Sequence, residues 1–114
     1  MGLGICEEQV LNTFHSMKYH ETALAKALEG SHTILAKEIA GELVRVYKKI
    51  ARDFRHENDF ERAMEFYEKC LDACKRAADA ATEAKCYYKL GLIYESRGEV
   101  TQAVSYLNEF LSMC

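Results

Sequence analysis

The sequence predicts an all-α fold, an α-solenoid of three antiparallel helical hairpins with about six helices. Three observations favour it. The 114 residues contain no proline, apolar residues recur at intervals of three and four, and a pattern of apolar and small residues repeats every 40 positions. With 49% hydrophobic and 29% charged residues, the chain can bury one core and present a charged surface. We therefore expect a single array over residues 1–114.

The 40-residue interval divides the array into three units, 4–38, 44–80 and 84–114. The first unit is degenerate, whereas the second and third match each other closely. One position is alanine in all three units: Ala23, Ala63 and Ala103. Because a single hairpin cannot bury its apolar stripe alone, the units are expected to stack.

Two helices are predicted in the middle unit. The apolar positions of the first helix are Leu43, Val46, Tyr47, Ile50, Ala51 and Phe54. A polar turn follows, in which Asn58 suits a left-handed helix end and Asp59 suits the start of the next helix. The second helix then carries its own apolar stripe: Phe60, Ala63, Met64, Tyr67, Cys70 and Leu71.

The third unit repeats this pattern with Gly98 in the place of Asn58, 40 residues later. Small residues recur where the two helices of a hairpin are expected to cross, and these are Ala51, Gly91, Ala63 and Ala103. A bulky side chain at such a crossing would overpack the interface. Close approach of the two backbones is therefore predicted in both hairpins.

Two stretches of the chain resemble the tetratricopeptide repeat. They are Tyr87-x-x-Leu90-Gly91-x-x-Tyr94 with Gly98 and Ala103, and Tyr47-x-x-Ile50-Ala51-x-x-Phe54 with Asp59-Phe60, Ala63 and Tyr67. The resemblance covers residues 44–113 well and 4–36 weakly. It implies a superhelix whose inner groove is lined by the first helices, and a non-enzymatic scaffold for protein–protein interaction.

The chain departs from the usual period of about 34 residues in this family. Lys75 stands where the family usually has a proline, and residues 76–81 are predicted to continue the helix. In this respect the chain is similar to the long repeats of kinesin light chains, spindle-orientation adaptors and some axonemal tetratricopeptide repeat proteins. That likeness implies a cytoplasmic protein with cytoskeletal or axonemal association.

Charge and motifs argue against several other functions. The net charge of −3 opposes nucleic-acid binding, and the apolar runs are far shorter than the roughly 20 residues of a membrane-spanning helix. No signal peptide is expected, since residues 1–9 contain no basic side chain. The four histidines have no serine or cysteine partner at a motif spacing, and no glycine-rich phosphate loop occurs. We predict no enzyme and no cofactor.

The cysteines offer one candidate metal site. Cys70 and Cys74 lie one helical turn apart, and Cys86 could approach from the next helix. A zinc site requires a fourth ligand, and a buried cysteine commonly acts as a small apolar side chain. We predict reduced structural thiols, with no metal and no disulfide between Cys70 and Cys74.

Basic residues gather on the first helices of the second and third units. The predicted partner-binding groove consists of Arg45, Lys48, Lys49, Arg52, Arg55, Lys85, Tyr88 and Lys89. The second helix of the middle unit is acidic on its outside: Glu61, Glu65, Glu68 and Asp72. We predict that the groove binds an acidic peptide or helix of a partner protein. The alternative is that these charges only confer solubility, since acidic residues share the helix.

A competing prediction concerns the C-terminal end. The sequence stops at Cys114, directly after the apolar Phe110 and Leu111 and without a polar capping helix. Either the chain is a fragment of a longer array, or this end pairs with a second copy in a homodimer.

Overall fold

Five α-helices make up the computed structural model, which describes residues 7–113, with side chains from residue 12. They are α1 (Glu7–Glu29), α2 (Thr33–His56), α3 (Phe60–Ala77), α4 (Ala80–Ser96) and α5 (Val100–Ser112). Each helix packs on the next one along the chain, and the array measures 43 × 41 × 18 Å. The described residues contain no strand, so the all-α solenoid is confirmed.

The four connections between helices share one backbone conformation. Each contains a residue with φ near +60° to +80°, and these are Ser31, Asn58, Ala78 and Gly98. The residue that follows donates its N–H to a carbonyl five positions earlier, as Asp59 does to Phe54 at 2.9 Å. This is the Schellman helix end. The left-handed conformation at Asn58 is confirmed, and Asp59 caps α3 by accepting the N–H of Arg62 at 3.3 Å.

The predicted continuation of the second helix through residues 76–81 is wrong. Helix α3 ends at Ala77, and Ala78 takes the left-handed conformation with φ of 57°. Asp79 then begins α4 by accepting the N–H of Thr82 at 3.1 Å. An alanine in this conformation costs about 1–2 kcal/mol, which the hydrogen bonds of the helix end and of the Asp79 cap offset. A break in the helix therefore requires no proline here.

The predicted first hairpin is also wrong, because α1 is one continuous helix from Glu7 to Glu29. The residue 40 positions before Asn58 is Lys18, a good helix former, where a turn would need glycine or asparagine. The described residues therefore hold five helices rather than six.

Helices α1 and α3 occupy equivalent places in the array, because α1 comes directly before the α2–α3 hairpin and α3 comes directly before the α4–α5 hairpin. Helix α2 has 24 residues against 17 in α4, a difference of about two helical turns. The corresponding ends Ser31 and Ala78 consequently lie 47 residues apart. At that interval Met17, Leu24 and Ala27 match Met64, Leu71 and Cys74. The division of the chain into three repeats stays a prediction.

The close approach of the helices in the third unit is confirmed. A Cβ atom added to Gly91 of α4 would lie 2.9 Å from Cγ of Leu107 and 3.5 Å from the carbonyl oxygen of Ala103, both on α5. In the middle unit the equivalent Ala51 and Ala63 are fully buried. The small residues thus allow the two helices of each hairpin to pack closely against each other.

Candidate protein-binding groove

The five basic residues of α2 share one side of the helix. At 100° per residue, Arg45, Lys48, Lys49, Arg52 and Arg55 fall within one third of the helix circumference. The buried positions, among them Leu43, Tyr47 and Ile50, lie on the other side. The apolar stripe therefore fixes which way the basic side chains point, and all but the half-buried Arg55 are exposed.

Three of the basic residues of α2 lie close to the neighbouring helices. Burial raises the pKa of Tyr67 on α3, and the nearby Arg55 and Arg52 oppose that rise. Lys48 interacts electrostatically with Cys86 on α4. These neighbours place Lys48, Arg52 and Arg55 at the edge of the helix that adjoins α3 and α4.

Helix α4 carries the three remaining predicted residues. Lys85 is exposed and Lys89 is half-buried. Tyr88 keeps 40% of its surface accessible, while its ring packs 5.2 Å from that of Phe110 on α5. In the 40-residue register these three correspond to Arg45, Lys49 and Lys48. Tyr88 is therefore held in place by α5 and still offers part of its ring to a ligand.

Ion pairs involve few of the basic side chains that the structure describes. Arg45 pairs with Glu42 at 3.5 Å. Within the described residues, the other six basic side chains of the predicted set make no ion pair within 4 Å. By contrast, Arg62 pairs with Asp59, and Arg97 pairs with Glu61 at 3.6 Å. Lys75 and Arg76 on α3 also make no ion pair within 4 Å in the described residues, so the predicted set is distinguished by its alignment along α2 and α4.

The acidic residues of α3 are exposed, as predicted. They nevertheless take part in contacts with the next unit. Glu61 pairs with Arg97, and Glu68 accepts a hydrogen bond from the hydroxyl of Tyr106 on α5. The acidic surface of α3 therefore also links successive hairpins.

The structure brings the three candidate thiols together. The Sγ atoms of Cys70, Cys74 and Cys86 all lie within 4.8 Å of one another, and all three residues are free and buried. The thiol of Cys70 donates to the carbonyl oxygen of Val44 on α2 at 3.6 Å. The predicted burial of these cysteines is therefore confirmed. Their convergence from two helices depends on the turn at Ala78, which the continuous helix predicted from the sequence did not contain.

No helix between residues 7 and 113 combines the length and the apolar content that crossing a membrane requires. A sequence model of the tetratricopeptide repeat matches residues 41–114, which include most of α2 and the three helices after it. The chain belongs to the tetratricopeptide repeat family. Tetratricopeptide repeats generally mediate protein–protein interactions and are typically non-enzymatic.

The chain is similar to tetratricopeptide repeat protein 29 of Trypanosoma brucei brucei. The two are 34% identical over 95 residues, which are 83% of this chain and 18% of that protein. The chain thus spans less than a fifth of its relative's length. No solved structure matches it.

Proposed function

We propose that this chain is a protein-interaction scaffold that binds an acidic peptide or helix on the basic face formed by α2 and α4. The basic face consists of the eight predicted residues: Arg45, Lys48, Lys49, Arg52, Arg55, Lys85, Tyr88 and Lys89. The observation that carries the proposal is the alignment of five basic side chains within one third of the circumference of α2, four of them exposed.

The chemistry of these side chains suits carboxylates. The planar guanidinium groups of Arg52 and Arg55 can each donate two parallel hydrogen bonds to one carboxylate. The lysine ammonium groups act as mobile point charges along the same stripe. The exposed part of Tyr88 offers an apolar contact between the charges. Since most of the basic side chains are exposed, binding is expected to weaken as salt shortens the Debye length from about 10 Å at 0.1 M.

A charge reversal tests the proposal. A fluorescent glutamate-rich helical peptide serves as the probe, and its affinity is measured by fluorescence anisotropy. We expect the double variant Lys48→Glu, Arg52→Glu to abolish binding while the helical circular dichroism stays unchanged. The matched control is Lys18→Glu, Lys26→Glu, which makes the same change in net charge on exposed positions of α1.

Two outcomes would contradict the proposal. One is unchanged affinity in the α2 double variant. The other is an equal loss in the α1 control, since that result would attribute binding to overall charge rather than to the basic face. A lysine-rich peptide of the same length should not bind either protein.

Self-association is a second candidate, and one observation favours it. Helix α5 exposes three apolar side chains, Val100 at 63%, Val104 at 50% and Leu111 at 64%. Two copies that pair through these residues would bury this surface. Sedimentation velocity at increasing concentration should then show a dimer that Val104→Lys with Leu111→Lys dissociates. A monomer at all concentrations removes this candidate.

We also propose a cytoplasmic location with cytoskeletal or axonemal association. This proposal is supported by the likeness of the chain to long repeats. In this chain the turn residues Asn58 and Gly98 lie 40 residues apart. Fluorescence microscopy of the tagged full-length protein tests it, and a secreted or nuclear distribution would contradict it.

A further inference from the structure

Three sulfur atoms converge in the core between α3 and α4. Cys70 and Cys74 are one turn apart on the same side of α3. The turn at Ala78 and Asp79 separates α3 from α4, and the sulfur of Cys86 on α4 lies within 4.8 Å of the other two. From this geometry we infer that Cys70, Cys74 and Cys86 form a three-thiolate site for a soft monovalent metal ion, Cu(I).

The presence of three ligands rather than four favours Cu(I) over zinc. Among the described residues no histidine, carboxylate or further thiol completes the group of three. The three residues are between 0% and 2% exposed, so solvent does not supply a fourth ligand. Structural zinc sites are almost always four-coordinate, whereas soft thiolates also favour Cu(I). A trigonal site therefore fits the residues present.

The distances permit such a site without a change of fold. Metal–sulfur bonds of about 2.3 Å in a trigonal plane place the sulfurs about 4 Å apart. The observed separations are all within 4.8 Å. Small side-chain rotations of the three cysteines, each under about 1 Å at the sulfur, would close the remaining gap.

Binding of Cu(I) as a thiolate complex requires the three thiols to lose their protons. Binding would replace three S–H bonds with three Cu–S bonds and release three protons to solvent. Copper stays in the Cu(I) state throughout, and no sulfur is oxidised.

The test uses the chain with Cys6→Ser and Cys114→Ser, so that the three core thiols are its sole cysteines. Because the site is buried, the protein is unfolded in urea with a reductant and refolded without oxygen in the presence of Cu(I). After gel filtration, copper per chain is measured, together with the ultraviolet absorption of copper–thiolate bonds. We expect one copper ion per folded chain and a higher melting temperature.

The variants Cys70→Ala, Cys74→Ala and Cys86→Ala each remove one ligand and keep a small apolar side chain. Each should weaken Cu(I) binding, measured by chelator competition, by more than the roughly 10–100-fold that loss of a second-shell partner costs. Unchanged binding in Cys86→Ala would overturn the site, and so would a folded parent chain that retains no copper.

Two further measurements do not depend on whether the alanine variants fold. Bound Cu(I) should protect all three thiols of the parent chain from a thiol reagent as urea is raised, and equal reactivity with and without copper would refute the site. Refolding with Zn²⁺ instead should leave the protein without metal after gel filtration. Retention of zinc would refute the three-coordinate assignment.

Discussion

Gly91 and Gly41 allow one substitution to be compared in two environments. Both residues lie inside helices, and both variants to alanine gain the same intrinsic helix propensity, about 1 kcal/mol. A Cβ atom on Gly41 would meet nothing within 4 Å, whereas one on Gly91 would lie 2.9 Å from Cγ of Leu107. The difference between the two variants therefore measures how closely α4 and α5 approach.

The expected magnitudes follow from these contacts. Gly41→Ala should raise the free energy of unfolding by about 1 kcal/mol, or the melting temperature by about 4–8 °C in a domain of roughly this size. In Gly91→Ala, overpacking against Leu107 costs about 1–3 kcal/mol and offsets or exceeds the same gain. Gly91→Ala should thus be less stable than Gly41→Ala by about 1–3 kcal/mol.

Urea unfolding followed by circular dichroism measures both variants. Adding Leu107→Ala to Gly91→Ala removes the clashing side chain, so a double-mutant cycle should show a coupling of about 0.5–3 kcal/mol between the two positions. Equal stabilisation by Gly41→Ala and Gly91→Ala would refute the close approach of α4 and α5.

Further predictions concern the turn between α3 and α4 and one buried tyrosine. Ala78→Gly should stabilise the fold by about 1 kcal/mol, because glycine adopts the left-handed conformation without the alanine penalty; a loss of stability in urea unfolding would contradict the described turn. Asp79→Ala should cost about 1 kcal/mol, since the N–H of Thr82 loses its acceptor, and Asp79→Asn should restore most of it. Burial, and then the hydrogen bond to Glu21, raise the pKa of Tyr47 above the ordinary value of 10.0. The hydroxyl of Tyr47 therefore loses its proton at a lower pH in the unfolded chain than in the folded one. The free energy of unfolding should consequently fall as the pH rises above about 10. Tyr47→Phe should lessen that fall in thermal melts, and an unchanged pH dependence would contradict the shift.

The helices of the second and third units could be predicted because several signals agree there. Apolar spacing, Asn58 or Gly98 at the turn and small residues at the crossings all indicate the same hairpins. The helix end at Ala78 escaped prediction, because an alanine carries no sign of a left-handed conformation. Asp79 three residues before Thr82 was the available signal, and it matches a helix cap.

The turn predicted within the first unit is absent for a different reason. The fixed interval of 40 residues aligned Phe14 with Phe54, whereas the helix ends at Ser31 and Ala78 lie 47 residues apart because α2 is longer than α4. Periodicity reports the spacing of apolar positions and does not report the length of a helix. The exposure of the basic side chains of α2 could be predicted, because the apolar residues of the helix occupy the opposite, buried side. Whether they pair with acidic residues depends on side-chain positions, which the sequence does not specify.

In the described residues nearly all packing joins helices that are consecutive in the chain. Contacts of such short sequence separation favour folding in microseconds to milliseconds, and an array of this kind can open from either end. Helices α2 and α4 are each flanked by a neighbour on both sides, yet they pack little on each other. A ligand bound across both would strengthen the connection between α2 and α4, which is weak in the described residues. Such a ligand should slow hydrogen exchange in α3, which lies between them, more than in α1 or α5.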